Sequence, residues 1–128
     1  MRPHQRLHLL KILGIKVRHY VPLESFESAI SEMQRLGAGE PVAVHRYPDY
    51  HLAICNFGHL DVVGCNAATH AEPGASVVLV QVRGLRELAR RLVLAGDVIV
   101  NGPEASAEGW NMRVRHRSGN LVDYLEPT

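Results

Sequence analysis

Residues 109–127 read GWNMRVRHRSGNLVDYLEP, two strand-like runs joined by a tight turn at Ser118-Gly119-Asn120. The second run carries one carboxylate, Asp123, between apolar neighbours, where it could ligate a metal or neutralise a cation. In the first run Arg113, Arg115 and Arg117 alternate with Met112, Val114 and His116. Alternation puts the three guanidiniums on one strand face, an arrangement that suits a carboxylate or phosphate ligand, or a solvated edge. The chain has eight histidines, but His45, His51 and His59 do not fall at HxH or HxxxH spacing, and there is no Cys-x-x-Cys. They read as exposed or edge histidines rather than a metal cluster. Cys55 lies inside an apolar run, and His51 is about 13 Å away along an extended strand, too far to activate it. Cys55 therefore reads as a buried, inert thiol.

These groups need a scaffold, and composition bounds it. A chain of 128 residues, 46% hydrophobic, fits one domain-sized core. Fourteen basic against thirteen acidic residues give a formal charge of +1, which offers no broad attraction to nucleic acid or to a membrane. Leu7 to Ile15 is interrupted by His8, Lys11 and Gly14, so it suits neither a signal peptide nor a spanning helix. The expectation is a cytoplasmic protein with reduced thiols. A hairpin around Gly58-His59 would set Cys55 opposite position 62 rather than Cys65, which argues against a disulfide.

Along the chain, residues 1–14 form a basic lead-in. Alternation begins at Ile15, with Val17, His19, Val21 and Leu23 on one face and Arg18 and Tyr20 on the other. A helix follows, with Ser25 as its cap, Phe26, Ala29, Ile30, Met33 and Leu36 at helical spacing, and Gly37 as its stop. Strands are expected at 41–47, 50–57 and 59–65, and residues 66–74 read as a linker. The plan then restarts: a strand at 76–82, a helix from Leu85 to Gly96, a strand at 97–100, a Gly/Pro-containing loop over 101–109, and the closing hairpin. The two copies lie roughly 60 residues apart, with Leu36-Gly37 corresponding to Ala95-Gly96. The module boundaries are 15–65 and 75–128.

The βαβββ repeat, the RLG helix end, Gly102-Pro103 and the closing GWNMRVRHRSGNLVDYLE together resemble the vicinal oxygen chelate superfamily, the group of glyoxalases, bleomycin-resistance proteins and extradiol dioxygenases. The resemblance covers roughly residues 15–126. The family's aspartate-proline is absent from the last turn, while its glycine and asparagine stand at Gly119 and Asn120. The resemblance implies an α+β fold in which two βαβββ modules form a curved open mixed sheet with helices outside and a ligand cup inside, commonly in a homodimer.

It also implies a metal held by residues of the first and last strands of each module. Carried over, those positions are Arg18, Val62, Val77 and Asp123, of which Asp123 alone suits a divalent ion. Catalytic metal sites keep about three protein ligands, and arginine repels a cation. A one-residue shift would bring His19 inward, against the parity of its strand. The expectation is therefore no cofactor and no metal, with Arg18 replacing the metal's charge and pairing with Asp123. The function expected is capture of a small, partly apolar ligand, with Arg18, Tyr20, Gln81, Trp110 and Asp123 as its contacts and Leu79 and Leu121 beside them. The alternatives are a divalent-metal-dependent lyase, isomerase or dioxygenase of the same superfamily, and an interaction module whose cup is filled by its own side chains.

Overall fold

The computed structural model describes residues 10–66 and 76–128. The lead-in up to residue 9 and the linker residues 67–74 lie outside them. The described chain forms two compact units, one holding Lys16–Val77 and the other Val78–Thr128 together with the start of the first strand up to Ile15. In the first module, β1 (Lys11–Pro22) leads through a 3-10 turn to α1 (Phe26–Arg35), then to β2 (Ala43–Tyr47), β3 (Leu52–Asn56) and β4 (Leu60–Cys65). In the second, β5 (Ser76–Arg83) leads to α2 (Leu85–Leu94), β6 (Val98–Ser106), β7 (Gly109–Arg115) and β8 (Leu121–Pro127).

Both modules have the same topology. The strand order is β2-β3-β4-β1 in the first and β6-β7-β8-β5 in the second. The strand before the helix runs parallel to the module's last strand, β1 to β4 and β5 to β8. The other neighbours are antiparallel. The repeat read from the sequence is thus a repeat of structure, an α+β fold of two βαβββ modules.

Each helix covers one sheet face. Phe26, Ala29 and Ile30 of α1 pack with Val21, Ala53, Cys55 and Val62. Leu85 and Ala89 of α2 pack with Val80, Val82, Met112 and Val114. The helices also end alike. Gly37 donates its N–H to Gln34 O at 3.1 Å and Ala38 to Met33 O at 2.9 Å, while Gly96 donates to Val93 O at 3.1 Å and Asp97 to Leu92 O at 3.0 Å. This pair of hydrogen bonds after the helix requires the left-handed backbone that Gly37 (φ 100°) and Gly96 (φ 93°) adopt without a Cβ clash.

Three expectations change. β1 starts at Lys11, four residues before the alternation predicts. Ser25 occupies the cap position of α1, but its side chain makes no capping bond; instead Ser28 Oγ donates to Ser25 O at 3.0 Å. The loop expected over 101–109 is largely strand, since β6 continues to Ser106 with register shifts between Ile99 and Glu104. β6 is the outer strand of its module, so Pro103, with no N–H to donate, is tolerated there. Cys55 lies opposite Val62 and Leu52 opposite Cys65, as the hairpin register predicts, and both thiols are free and buried. No helix among the described residues is long and apolar enough to cross a membrane.

Candidate functional site

The sheet face turned away from the helix carries the charged groups of each module. In β1, Val21 packs under α1, so alternation turns Arg18 and Tyr20 to the other face and His19 toward the helix side. Arg18 stands opposite Asp61 and Tyr20 opposite Val63. Asp61, only 1% exposed, accepts from Lys16 Nζ at 2.8 Å through Oδ1 and from Arg18 Nε at 3.0 Å through Oδ2. Lys16 Nζ also reaches Asn56 Oδ1 at 3.3 Å. Asn56 pairs with Asp61 across β3 and β4, so the whole cluster shares one face.

This corrects the last-strand position. Val62, carried over as the slot, is fully buried beneath α1 in the helix-side core. The residue on the opposite face is Asp61, which the reading from the sequence missed. The signal was available: in HLDVVGC an acid alternates with Val63 and Cys65, in parity with a strand that carries two cations, Lys16 and Arg18.

In the second module, Asp123 lies between Leu79 of β5 and Arg113 of β7. Arg113 Nε donates to Asp123 Oδ1 at 2.6 Å and Nη2 donates to Oδ2 at 2.8 Å, a two-pronged pair. The first-strand residue beside Asp123 is Leu79, not Val77. Gln81 stands opposite Leu125 on the same face, one step along, with Asn111 beyond. Arg113 thus serves a carboxylate of its own module rather than a solvated edge, while Arg115 is exposed. Arg18 thus bonds Asp61 within the first module, and Asp123 bonds Arg113 within the second.

Trp110 does not join these groups. It alternates with Asn111 and so falls on the same face as Met112 and Val114, which pack against α2. Trp110 is 42% exposed, with the Arg86 guanidinium 5.3 Å from its ring centroid. With Gly84, Leu85, Glu87, Pro103 and Glu126 it lines a cavity of about 360 Å³ at the start of α2. Glu126 fills the polar requirement there, accepting from Gly84 N at 2.9 Å and Leu85 N at 3.1 Å. A carboxylate at a helix N-terminus satisfies otherwise unpaired N–H groups and meets the positive end of the helix dipole.

A second chain of polar groups went unread in the sequence. His116 Nε2 is 2.7 Å from Tyr124 Oη, and His116 Nδ1 is 3.3 Å from Asp97 Oδ1, which also accepts from Arg117 N at 2.9 Å. His116 thus hydrogen-bonds the Tyr124 hydroxyl through one ring nitrogen and faces the Asp97 carboxylate with the other. Burial, then the charge of Asp97, pushes the Tyr124 phenol above its usual range. Burial, then Asp61 and Glu27, likewise pushes the Cys55 thiol up, which suits an inert thiol.

The metal that the resemblance implies does not fit these residues. Among the described residues no three His, Cys, Asp or Glu side chains come together as a metal-holding group. The carboxylates on these faces already accept from their modules' own cations, Asp61 through both oxygens from Lys16 and Arg18 and Asp123 through both from Arg113. A divalent ion at either carboxylate would have to displace one of those cations or bind against their charge.

No protein-family model matches the sequence, and no curated protein matches it. Solved structures do. An uncharacterized protein from Methanosarcina mazei is 20% identical, with a TM-score of 0.60 over 92% of this chain and 94% of that one. Methylmalonyl-CoA epimerase from Mycobacterium tuberculosis is 15% identical, with a TM-score of 0.64 over 91% and 89%. A structure described as NAD-dependent benzaldehyde dehydrogenase from Legionella pneumophila is 15% identical, with a TM-score of 0.62 over 90% and 100%. At these identities the likeness is one of fold, and the fold of this chain is the glyoxalase-like one.

Proposed function

We propose that the protein captures a small, partly apolar organic molecule without a catalytic metal, using the sheet faces turned away from its helices. The observation that carries this reading is the same in both modules. One carboxylate, neutralised by cations of its own module, is set among apolar residues: Asp61 with Tyr20, Ile54 and Val63 nearby, and Asp123 with Leu79 and Leu125. Apolar walls supply affinity, and a few fixed polar groups (Arg18, Tyr20, Gln81 and Asp123) supply orientation. Trp110 is left out of this set because it stands on the opposite face. Among the described residues no acid–base pair on these faces calls for a reaction. The homodimer belongs to the same proposal.

Native mass spectrometry of the purified chain tests it. The expected result is a stoichiometric organic adduct, released on denaturation and retained after EDTA. A chain that carries no adduct, and whose melting temperature no member of a library of small aromatic and aliphatic acids, amides and alcohols raises, contradicts the proposal.

A second reading has an observation of its own. Tyr20, Ile54, Val63, Leu79 and Leu125 on these faces are each 3% exposed or less. Side chains so deeply buried also suit an interaction module whose cup is filled by its own residues. That reading predicts no adduct and a protein partner that binds with unchanged affinity when Tyr20 and Gln81 are replaced.

A further inference from the structure

In the first module a side-chain cation lies among oxygens on the face turned away from α1. Lys16 Nζ lies 2.8 Å from Asp61 Oδ1 and 3.3 Å from Asn56 Oδ1, and the Lys16 side chain is 13% exposed. An ammonium group held by two side-chain oxygens from β3 and β4 has the donor set of a small cation site, at hydrogen-bonding rather than coordination distance. Lysine suits this role because its charge is compact and its three donors rotate on a flexible stem. Arginine, a planar fork, suits the other module, where Arg113 matches both oxygens of Asp123.

We propose that Lys16 is a tethered cation that takes the place of an inorganic one on the face of the first module turned away from α1. Asp61 and Asn56 are its ligands, and Arg18 holds the second carboxylate oxygen. The positive charge is then part of the chain, present at every metal concentration and insensitive to chelators. The inference concerns the cation alone. It stands or falls separately from ligand capture, because its test reads stability and metal content.

The test uses the full chain. Lys16→Ala removes the ammonium and most of its stem, leaving a space that propylammonium fits. Thermal denaturation is followed with propylammonium chloride and with sodium chloride at matched ionic strength. The expected result is a lowered melting temperature for the variant, of which propylammonium restores at least half while sodium does not, with the wild type unmoved by either. An unchanged melting temperature in Lys16→Ala, or equal effects of the two salts on it, overturns the proposal. Should the variant fail to fold, the wild type decides alone. After incubation with excess manganese, nickel or zinc and then dialysis, elemental analysis is expected to find no stoichiometric ion. A stoichiometric ion in the wild type that is lost in Asp61→Asn overturns the proposal.

Discussion

Replacing Asp61 by asparagine probes the buried cluster with almost no change of shape. Asp61 is 1% exposed and carries two ion pairs, to Lys16 at 2.8 Å and to Arg18 at 3.0 Å. Removing one partner of a buried ion pair costs about 3–5 kcal/mol, because the remaining charge is left uncompensated. Asparagine keeps one acceptor oxygen, so a hydrogen bond worth about 1 kcal/mol survives. The expected loss is therefore about 3 kcal/mol, at the lower end of the range. With an unfolding entropy of about 2.1 cal/mol/K per residue, a chain of 128 residues loses about 11 °C in melting temperature. Urea denaturation followed by the fluorescence of Trp110 measures the change, with an unchanged m-value showing that the denatured state is the same. A loss below about 1 kcal/mol is what an exposed pair gives, and it would refute the assignment of Asp61 to a buried, doubly paired position.

Further expectations concern caps and titrating groups. Ser25→Ala costs less than about 0.5 kcal/mol, because the serine makes no capping bond, whereas Glu126→Ala costs about 1–2 kcal/mol by exposing the Gly84 and Leu85 N–H groups; chemical denaturation ranks the two. The Tyr124 phenol, raised above its ordinary value of 10.0 by burial and Asp97, holds its proton more tightly folded than unfolded. Its contribution to stability is fully present below pH 10 and is lost as pH rises through the folded value. Alkaline denaturation of Tyr124→Phe should lose part of that slope. Cys55 and Cys65, both buried, should stay unreactive to an aromatic disulfide reagent until the chain unfolds, then react at two thiols per chain.

Much of this architecture was legible because local and global signals agree. The helices announced themselves through Phe26, Ala29 and Ile30 and through Leu85, Leu88 and Ala89, and their ends through Gly37 and Gly96, where no other residue fits as well. The repeat made the two topologies predictable together. The extension of β6 was hidden because Gly102 and Pro103 normally mark a loop, and only an outer strand tolerates them. The error at Val62 has a geometric cause. In the first hairpin Phe57 N bonds Leu60 O, and the glycine is the first residue of a two-residue loop; in the second His116 N bonds Asn120 O, and the glycine is the last of three. Counting from the glycine therefore changes parity between the hairpins, and one residue of slip turns a side chain to the opposite face. Trp110 was expected among the ligand contacts, although alternation from Met112 and Val114 puts it on the helix-side face. The Asp97–His116–Tyr124 chain was invisible because its members are brought together only by folding.

The account rests on carboxylates that the chain's own cations have already claimed. An anomalous difference map from crystals soaked in manganese addresses that directly. The account predicts no peak within about 3 Å of the Asp61 or Asp123 oxygens, a span that covers ordinary oxygen–metal coordination. A manganese ion bound to either carboxylate, with Lys16 or Arg113 swung away, would contradict it.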